Sequence, residues 1–275
     1  MFSYNISLQQ WRYWVAIKKH FKLRAGAFFI LNVYSYPMKY INLEEPHVTK
    51  PIVIAAMQDM GNVGNIVIDF INKSLNSDCF RYVCPPFPNY VIDKGGYIEF
   101  QQEKWEYRYG SDIIEFGGGT GQPQTNEELY ELCQDVIDIA KKHSAQLIYT
   151  VGAFHATHTI LQQPRTFVTT TSLELMEQVK RLGLEATPKS SFITGFNGLI
   201  LGFAKLNNIR EIGLYCEIND PNIPQYRAAK SILQLLERLI FMKFRQLHEL
   251  DIMADAVDKE IDKRRSSGDS YFDNT

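Results

Sequence analysis

The chain has 275 residues, of which 45% are apolar and 22% are charged, and its formal net charge is −2. This composition is typical of a globular protein and excludes a disordered chain. Residues 1–37 hold five of the 29 basic side chains and none of the 31 acidic ones, so the remainder carries a net charge of −7. An acidic body is a poor electrostatic match for nucleic acid, and no nucleic-acid partner is expected.

The cysteines and the hydropathy pattern indicate the kind of compartment. Cys79, Cys84, Cys133 and Cys216 are scattered, without a C-x-x-C pair or a zinc-finger spacing. They predict small core residues in a reducing, cytoplasmic setting, with no metal and no cofactor. No run of about 20 uninterrupted apolar residues occurs, so no membrane span is predicted.

The first 37 residues differ from the rest of the chain. The basic stretch from Lys18 to Arg24 and the apolar run that follows imitate a signal peptide, but no small-residue cleavage site comes after them. Met38 offers a second plausible start. We therefore expect residues 1–37 to be an extension outside the folded domain; an amphipathic docking helix and a signal sequence are the alternatives.

The stretch from Pro51 to Leu75 predicts the start of an α/β domain. A buried strand over 52–56 leads into the turn Gly61-Asn62-Val63-Gly64, and apolar residues at helical spacing follow it. Such a turn directs helix N-terminal N–H groups towards the strand end, where an anion could bind. The G-x-x-G spacing matches neither the dinucleotide fingerprint nor the phosphate loop. A plain packing turn is therefore preferred to an anion site.

The rest of the chain alternates between strands and helices. A stiff loop with three prolines follows the next strand at 85–88, and the runs 97–100 and 104–109 suggest a hairpin. Alternation of this kind predicts one α/β domain with a mainly parallel sheet covered on both faces. Further strands are predicted at 79–84, 111–116, 146–152, 166–171, 191–195 and 211–217, and further helices at 126–142, 173–182, 198–207 and 224–263.

The C-terminal part is predicted as one largely uninterrupted helix from Pro224 to Lys263. We assign residues 38–240 to the domain, 241–263 to a helical extension and 264–275 to a polar tail. This helix has more apolar residues than one face needs, Phe241 and Phe244 among them. Packing against its own domain is the simpler interpretation, and an oligomer or client interface is the alternative.

Open α/β sheets bind ligands beyond the carboxyl ends of their strands, where several polar residues are predicted. His155 and His158 form an H-x-x-H pair that could bind a metal with Glu217 or Asp220 as a third ligand, although a loop pair without metal is preferred. The two acidic residues could also act as general acid and base. Asp220 before Pro221 is equally typical of a turn into a helix, and this interpretation is favoured.

The glycine-rich segment Gly117–Gly121 follows another predicted strand. It could cradle a phosphate, but no lysine follows it, and a flexible loop explains it as well. No G-x-S-x-G elbow occurs anywhere in the chain. No catalytic residue is therefore predicted.

Four motifs stand in a characteristic order within roughly residues 48–240. They are Gly61-Asn62-Val63-Gly64, Tyr149 to His155, Thr194 to Leu199, and the acidic turn from Glu217 to Pro221. Together they resemble the PAC2-like family, the proteasome assembly chaperone 2 family, and its archaeal members in particular. The resemblance implies a three-layer α/β/α sandwich, similar to purine nucleoside phosphorylases, in a protein that is usually oligomeric.

The resemblance also implies a function, and the chain departs from the family's pattern at one place, its C-terminus. It implies a non-enzymatic assembly chaperone that associates with itself and binds proteasome α subunits. Members that dock into the α ring resemble one another in a C-terminal hydrophobic-tyrosine-any tripeptide. Here Tyr271 stands fifth from the end instead of second, so docking through another surface stays open.

An enzyme of the same fold is the alternative, either nucleoside phosphorylase-like or an ATP-dependent carboxylate-amine ligase, with a pocket at the strand ends. A small-molecule-binding regulator is a third possibility. The two main hypotheses differ in whether the predicted residues surround an open cavity or are packed by their own neighbours. The candidate pocket residues are Gly61, Asn62, Gly64, His155, Gly195, Asn197, Gly198 and Glu217.

Overall fold

The computed structural model describes residues 37–88, 90–119, 121–156, 163–188 and 192–267, with only the backbone for 264–267. Three sequence predictions therefore fall outside the described residues: the N-terminal extension apart from Pro37, His158, and the end of the polar tail with Tyr271. No helix in the described part is both long and apolar enough to cross a bilayer.

The described residues form ten strands and six α-helices. The strands are β1 Lys39–Asn42, β2 Ile52–Ala55, β3 Asp78–Cys84, β4 Ile92–Asp93, β5 Ile98–Glu99, β6 Trp105–Gly110, β7 Ile113–Gly117, β8 Leu147–His155, β9 Thr166–Thr170 and β10 Glu211–Ile218. The helices are α1 Val63–Leu75, α2 Asn126–Lys142, α3 Leu173–Arg181, α4 Phe196–Leu206, α5 Tyr226–Ile240 and α6 Glu249–Ser267.

Eight strands form one central sheet in the order β1-β3-β6-β7-β2-β8-β10-β9, while β4 and β5 form a separate two-stranded sheet. The centre of the large sheet, β7-β2-β8-β10, is parallel as predicted. The flanking pairs are antiparallel, so the sheet is mixed. The turn between β6 and β7 explains part of this, because Ser111 and Asp112 both have positive φ, as in the two-residue turns that close antiparallel hairpins.

Helices cover both faces of the sheet, which confirms the predicted three-layer α/β/α sandwich. On one face α1, α3 and α5 pack on side chains such as Ile54 and Leu214. On the other face α2 and α4 pack on Val53 and Phe116. The strand residues alternate between the two cores because successive side chains of a strand point to opposite faces.

Two local predictions are wrong. The runs 97–100 and 104–109 do not pair with each other, since β5 pairs with β4 while β6 lies between β3 and β7 in the large sheet. The described residues of 191–195 form no strand and lead directly into α4. In both places the apolar pattern suits a strand, but pattern alone does not identify a hydrogen-bonding partner.

The predicted uninterrupted C-terminal helix is also wrong. The helix α5 ends at Ile240, Phe241 adopts the left-handed conformation with φ 54°, and α6 begins at Glu249. The buried carboxylate of Glu237 accepts a hydrogen bond from the backbone N–H of Phe244 (2.8 Å) and so stabilises the break. Phe244 then enters the core while Phe241 stays exposed.

Candidate functional site

The predicted pocket residues lie at the carboxyl edge of the parallel strands. The turn with Gly61, Asn62 and Gly64 follows β2, His155 ends β8, and Glu217 lies next to the end of β10. Register places Ile218 of β10 opposite His155 of β8, so these two strand ends are neighbours. The N-terminus of α4 approaches the same edge through Asn197, which hydrogen-bonds to Met57 just beyond β2. This edge of the sheet therefore brings together the predicted pocket residues, which lie at the ends of three strands and at the start of one helix.

The glycine turn after β2 is a site of close packing. Gly61 has a positive φ of 67°, donates its N–H to the carbonyl of Pro221 and accepts from the N–H of Gln225, both at 2.8 Å. A Cβ on Gly61 would lie 2.4 Å from Gln225 Cγ. Asn62 continues the turn in the left-handed conformation. These contacts support the packing interpretation of the motif.

The N-terminus of α1 already has a side-chain partner, the carboxyl group of Asp59. Its Oδ1 accepts the N–H of Gly64 at 2.8 Å, and the N–H groups of Val63 and Ala153 also face the carboxylate. Burial raises the pKa of Asp59 to about 7, although these hydrogen bonds act in the opposite direction. A bound phosphate would have to replace this carboxylate. Sequence reasoning missed Asp59, although an acidic residue between a strand and a glycine turn is a helix-capping signal.

Asn197 ties α4 to the end of β2. Its Oδ1 accepts the N–H of Met57 at 2.9 Å, and its Nδ2 donates to the carbonyl of the same residue at 3.1 Å. Its own carbonyl accepts the hydroxyl of Tyr215 at 2.8 Å. Asn197 is only 4% exposed, and both polar atoms of its side chain form hydrogen bonds to Met57. Its role is therefore structural, because neither atom is free to bind a ligand.

The glycines at the start of α4 also sit against their neighbours. Gly195 has φ 69°, and a Cβ there would lie 2.7 Å from Gln122 Oε1, which caps the helix by accepting the N–H of Phe196. Gln122 Nε2 donates to the carbonyl of Gln58 at 2.7 Å. A Cβ on Gly198 would lie 2.5 Å from the side chain of Ile193. Gln122 thus fills the space between α4 and the end of β2.

The described part of the glycine-rich segment 117–121 packs in the same way. The carbonyl of Gly119 accepts a hydrogen bond from Asn65 Nδ2 at 3.1 Å. The indole N–H of Trp105 donates to the carbonyl of Gly121 at 3.0 Å. A Cβ on Gly117 would lie 2.4 Å from the carbonyl oxygen of Ala56. These glycines permit close backbone approach at the strand ends.

The polar residues at the ends of β8 and β10 are engaged as well. Glu217 is buried and forms a two-pronged ion pair with Arg165, at 2.6 and 3.0 Å. His155 is exposed, and its Nε2 lies 2.8 Å from the carbonyl of Asn219. Asp220 accepts the N–H of Asn222 at 2.8 Å, which supports its predicted role in the turn. Arg165 had no sequence signal that paired it with Glu217.

The structure offers no metal-binding cluster within its described residues, since no three His, Cys, Asp or Glu side chains there lie close enough together. His155 and Glu217 are instead paired with protein groups. Among the residues that the structure describes, the strand-end edge is thus occupied by the protein's own side chains, chiefly those of Asp59, Gln122 and Asn197.

Comparison with known proteins adds independent information. The model described as the PAC2 family matches residues 53–265. The uncharacterized protein MJ1210 of Methanocaldococcus jannaschii is 27% identical over an alignment of 219 residues, which covers 77% of this chain and 82% of that protein.

Two solved structures from Pyrococcus furiosus are similar to this fold. PbaB, an archaeal proteasome activator, aligns with a TM-score of 0.71 at 23% identity, covering 84% of this chain and 99% of that one. PbaA, an archaeal homolog of proteasome-assembly chaperone, aligns with a TM-score of 0.67 at 20% identity, covering 85% and 97%. These likenesses confirm the fold that the resemblance implied.

Proposed function

We propose, since the chain belongs to the PAC2 family, that it is a proteasome-assembly chaperone-like protein. In this proposal it associates with itself and binds proteasome α subunits without catalysing a reaction. The names of two fold relatives, a proteasome activator and a homolog of proteasome-assembly chaperone, support the role. Its four cysteines are unpaired, which supports a cytoplasmic setting.

The observation that carries this proposal is that the described residues at the strand-end edge bind one another. An enzyme of this fold needs a concave site in which a few polar groups converge on a substrate. Here Asn197 is engaged at both ends with Met57, Gln122 caps α4, and Gln225 packs against the turn at Gly61. A fold whose usual ligand position is filled with structural contacts is better suited to work through its surface.

Capture of the full chain by purified proteasome α subunits from the same genome tests the proposal. We expect retention at micromolar concentrations, because the affinities of standard-size protein interfaces range from micromolar to picomolar. A second chain, ended after Ser267, keeps all of α6 and removes only the residues that follow it. Retention of both forms would assign the contact to the folded surface, and loss on truncation would assign it to the tail with Tyr271.

Two controls make the result decisive. Proteasome β subunits serve as the matched bait, since a non-specific apolar contact would retain the chain on both. Failure of the α subunits to capture either form would contradict the proposal. Turnover of a purine nucleoside with phosphate, or of ATP with a carboxylate and an amine, would favour the enzymatic alternative.

A further inference from the structure

A long excursion separates two neighbouring strands of the central sheet. The strands β3 and β6 are adjacent and antiparallel, and Val83 at the end of one lies opposite Trp105 at the start of the other. The chain between them, residues 85–88 and 90–104, is called the arm. It contains the separate two-stranded sheet of β4 and β5. A tight turn could join two adjacent antiparallel strands, so the arm is not needed to close the fold.

The arm has an ordered base and tip. At the base, Gln102 Nε2 donates to the carbonyl of Pro85 at 2.9 Å, and the rings of Phe87 and Phe100 lie 5.1 Å apart. At the tip, the N–H of Lys94 donates to the carbonyl of Tyr97 at 2.9 Å. The arm is therefore a formed hairpin held by local contacts.

Its surface is unusually apolar on both faces. Register pairs Ile92 with Glu99 and Asp93 with Ile98, so Ile92 and Ile98 point to opposite faces, and they are 37% and 60% exposed. Isolated two-stranded hairpins are marginally stable in water, and exposed apolar patches of this kind mark interaction surfaces. The large apolar side chains of the arm with 37–60% exposure are Phe87, Tyr90, Val91, Ile92, Tyr97, Ile98 and Phe100.

The geometry points to a second copy of this chain as the partner of the arm, an inference that rests on the self-association in the proposed function. The seven side chains present roughly 700 Å² if a fully exposed side chain of this size counts for about 200 Å². That is close to the roughly 800 Å² that each partner contributes to a standard interface. These side chains lie on two faces, so a copy that covers one face buries about half of this area, and the arm supplies part of one side of such a contact.

Self-pairing also suits the edges and the charges of the arm. The strands β4 and β5 are not part of the eight-stranded sheet, so the outer edge of one can pair antiparallel with the same edge of another copy around a twofold axis. Asp93, Glu99 and Lys94 supply both signs of charge within one hairpin. Such an arm is complementary to itself and needs no oppositely charged partner.

The test compares the mass of the full chain in solution with that of the variant Tyr97→Ser/Ile98→Ser. We expect the variant to associate about 100-fold more weakly by sedimentation equilibrium, because a few buried apolar side chains carry most of an interface's affinity. The matched control is Leu173→Ser/Leu206→Ser, which removes two side chains that are 86% and 81% exposed on α3 and α4. The control should associate like the wild type.

A cross-linking experiment keeps the inference testable if the double variant folds poorly. Ile98→Cys should form a disulfide-linked dimer under mild oxidation, and Leu173→Cys should not. Equal association of both serine variants and the wild type, without cross-linking at position 98, would overturn the inference. A wild type that is monomeric would overturn it too.

Capture by α subunits, measured on the same samples, separates this inference from the proposed function. Normal capture by an arm variant that has become monomeric would support both. A monomeric wild type that loses capture when the arm is changed would make the arm a proteasome-docking surface and overturn self-pairing. A self-associating wild type with no capture would contradict proteasome binding alone.

Discussion

Replacing Asn197 by alanine tests whether the strand-end edge is structure or a ligand site. The substitution removes two hydrogen bonds, at 2.9 and 3.1 Å, and leaves the N–H and carbonyl of Met57 without these partners. Each buried group left unsatisfied costs about 1–3 kcal/mol. We expect the free energy of unfolding to fall by about 3 kcal/mol, measured by urea denaturation, with a drop of roughly 10 °C in the melting temperature.

Two further variants make this measurement specific. Asn207→Ala removes an asparagine whose Nδ2 also donates to a backbone carbonyl, that of Phe203 at 2.8 Å, but on a less buried side chain. It should cost less than about 1 kcal/mol. Asn197→Asp keeps the acceptor for Met57 N–H but turns a carboxylate oxygen towards the carbonyl, so it should cost at least as much as alanine. If Asn197→Ala lowered the free energy of unfolding by less than about 0.5 kcal/mol, the structural role of Asn197 would be refuted.

Three other outcomes follow from contacts at the same edge. Gly61→Ala should destabilise the fold by about 2 kcal/mol in thermal unfolding, because φ is 67° and Gln225 Cγ lies 2.4 Å from the new Cβ. The control Gly96→Ala should cost less, because Gly96 also has a positive φ but a Cβ there would meet no neighbour within 4 Å. Arg165→Ala should cost about 2 kcal/mol in the same measurement, since it removes two hydrogen bonds between a partly exposed arginine and the buried carboxylate of Glu217. Stability should fall as the pH rises from 5.5 to 8, because Asp59 has a raised pKa.

The order of the central elements could be predicted because their signals are local. The strand, turn and helix from β2 to α1 follow from an apolar run, a glycine turn and helical spacing. Likewise, α2 begins where Thr125 and Glu128 form a reciprocal capping box, a pattern readable from four residues. Elements of this kind are specified by residues a few positions apart in the sequence, so sequence spacing predicts them well.

The filling of the candidate site could not be predicted, because its contacts join distant parts of the chain. Gln122 and Phe196 are 74 residues apart, and Asn197 and Met57 are 140 apart. Neither glutamine nor asparagine has a local pattern that identifies its partner. The sequence thus located the residues of the edge but did not indicate that they bond to one another.

The break between α5 and α6 was missed for a related reason. The segment keeps an apolar pattern that suits a continuous helix, and no proline or glycine interrupts it. The helix ends because the buried carboxylate of Glu237 binds the N–H of Phe244, seven residues ahead. A glutamate in a helix is ordinarily exposed, so its burial became evident only from the packing of the core.

The raised pKa of Asp59 lets one variant separate the two candidate functions. A carboxyl whose folded pKa is about 7, above the unfolded value of 3.8, keeps its proton in the folded state while the unfolded chain loses it. Its contribution to stability is therefore lost as the pH rises towards 7, by about 2 kcal/mol between pH 5.5 and 7. Buried Glu115, with a pKa also raised to about 7, acts in the same direction.

Asp59→Asn should remove its share of this pH dependence and leave the parts due to Glu115 and to Glu211, whose pKa burial also raises, as urea titrations at pH 5.5 and 8 would show. Raised pKa values are frequent at catalytic sites, but here burial is the main cause, and the carboxylate faces the N-terminus of α1. An assembly factor that works through its surface should bind α subunits equally well with asparagine at this position. If turnover of a small substrate is found and Asp59→Asn abolishes it in a folded protein, the raised pKa serves catalysis and the surface-based function is wrong.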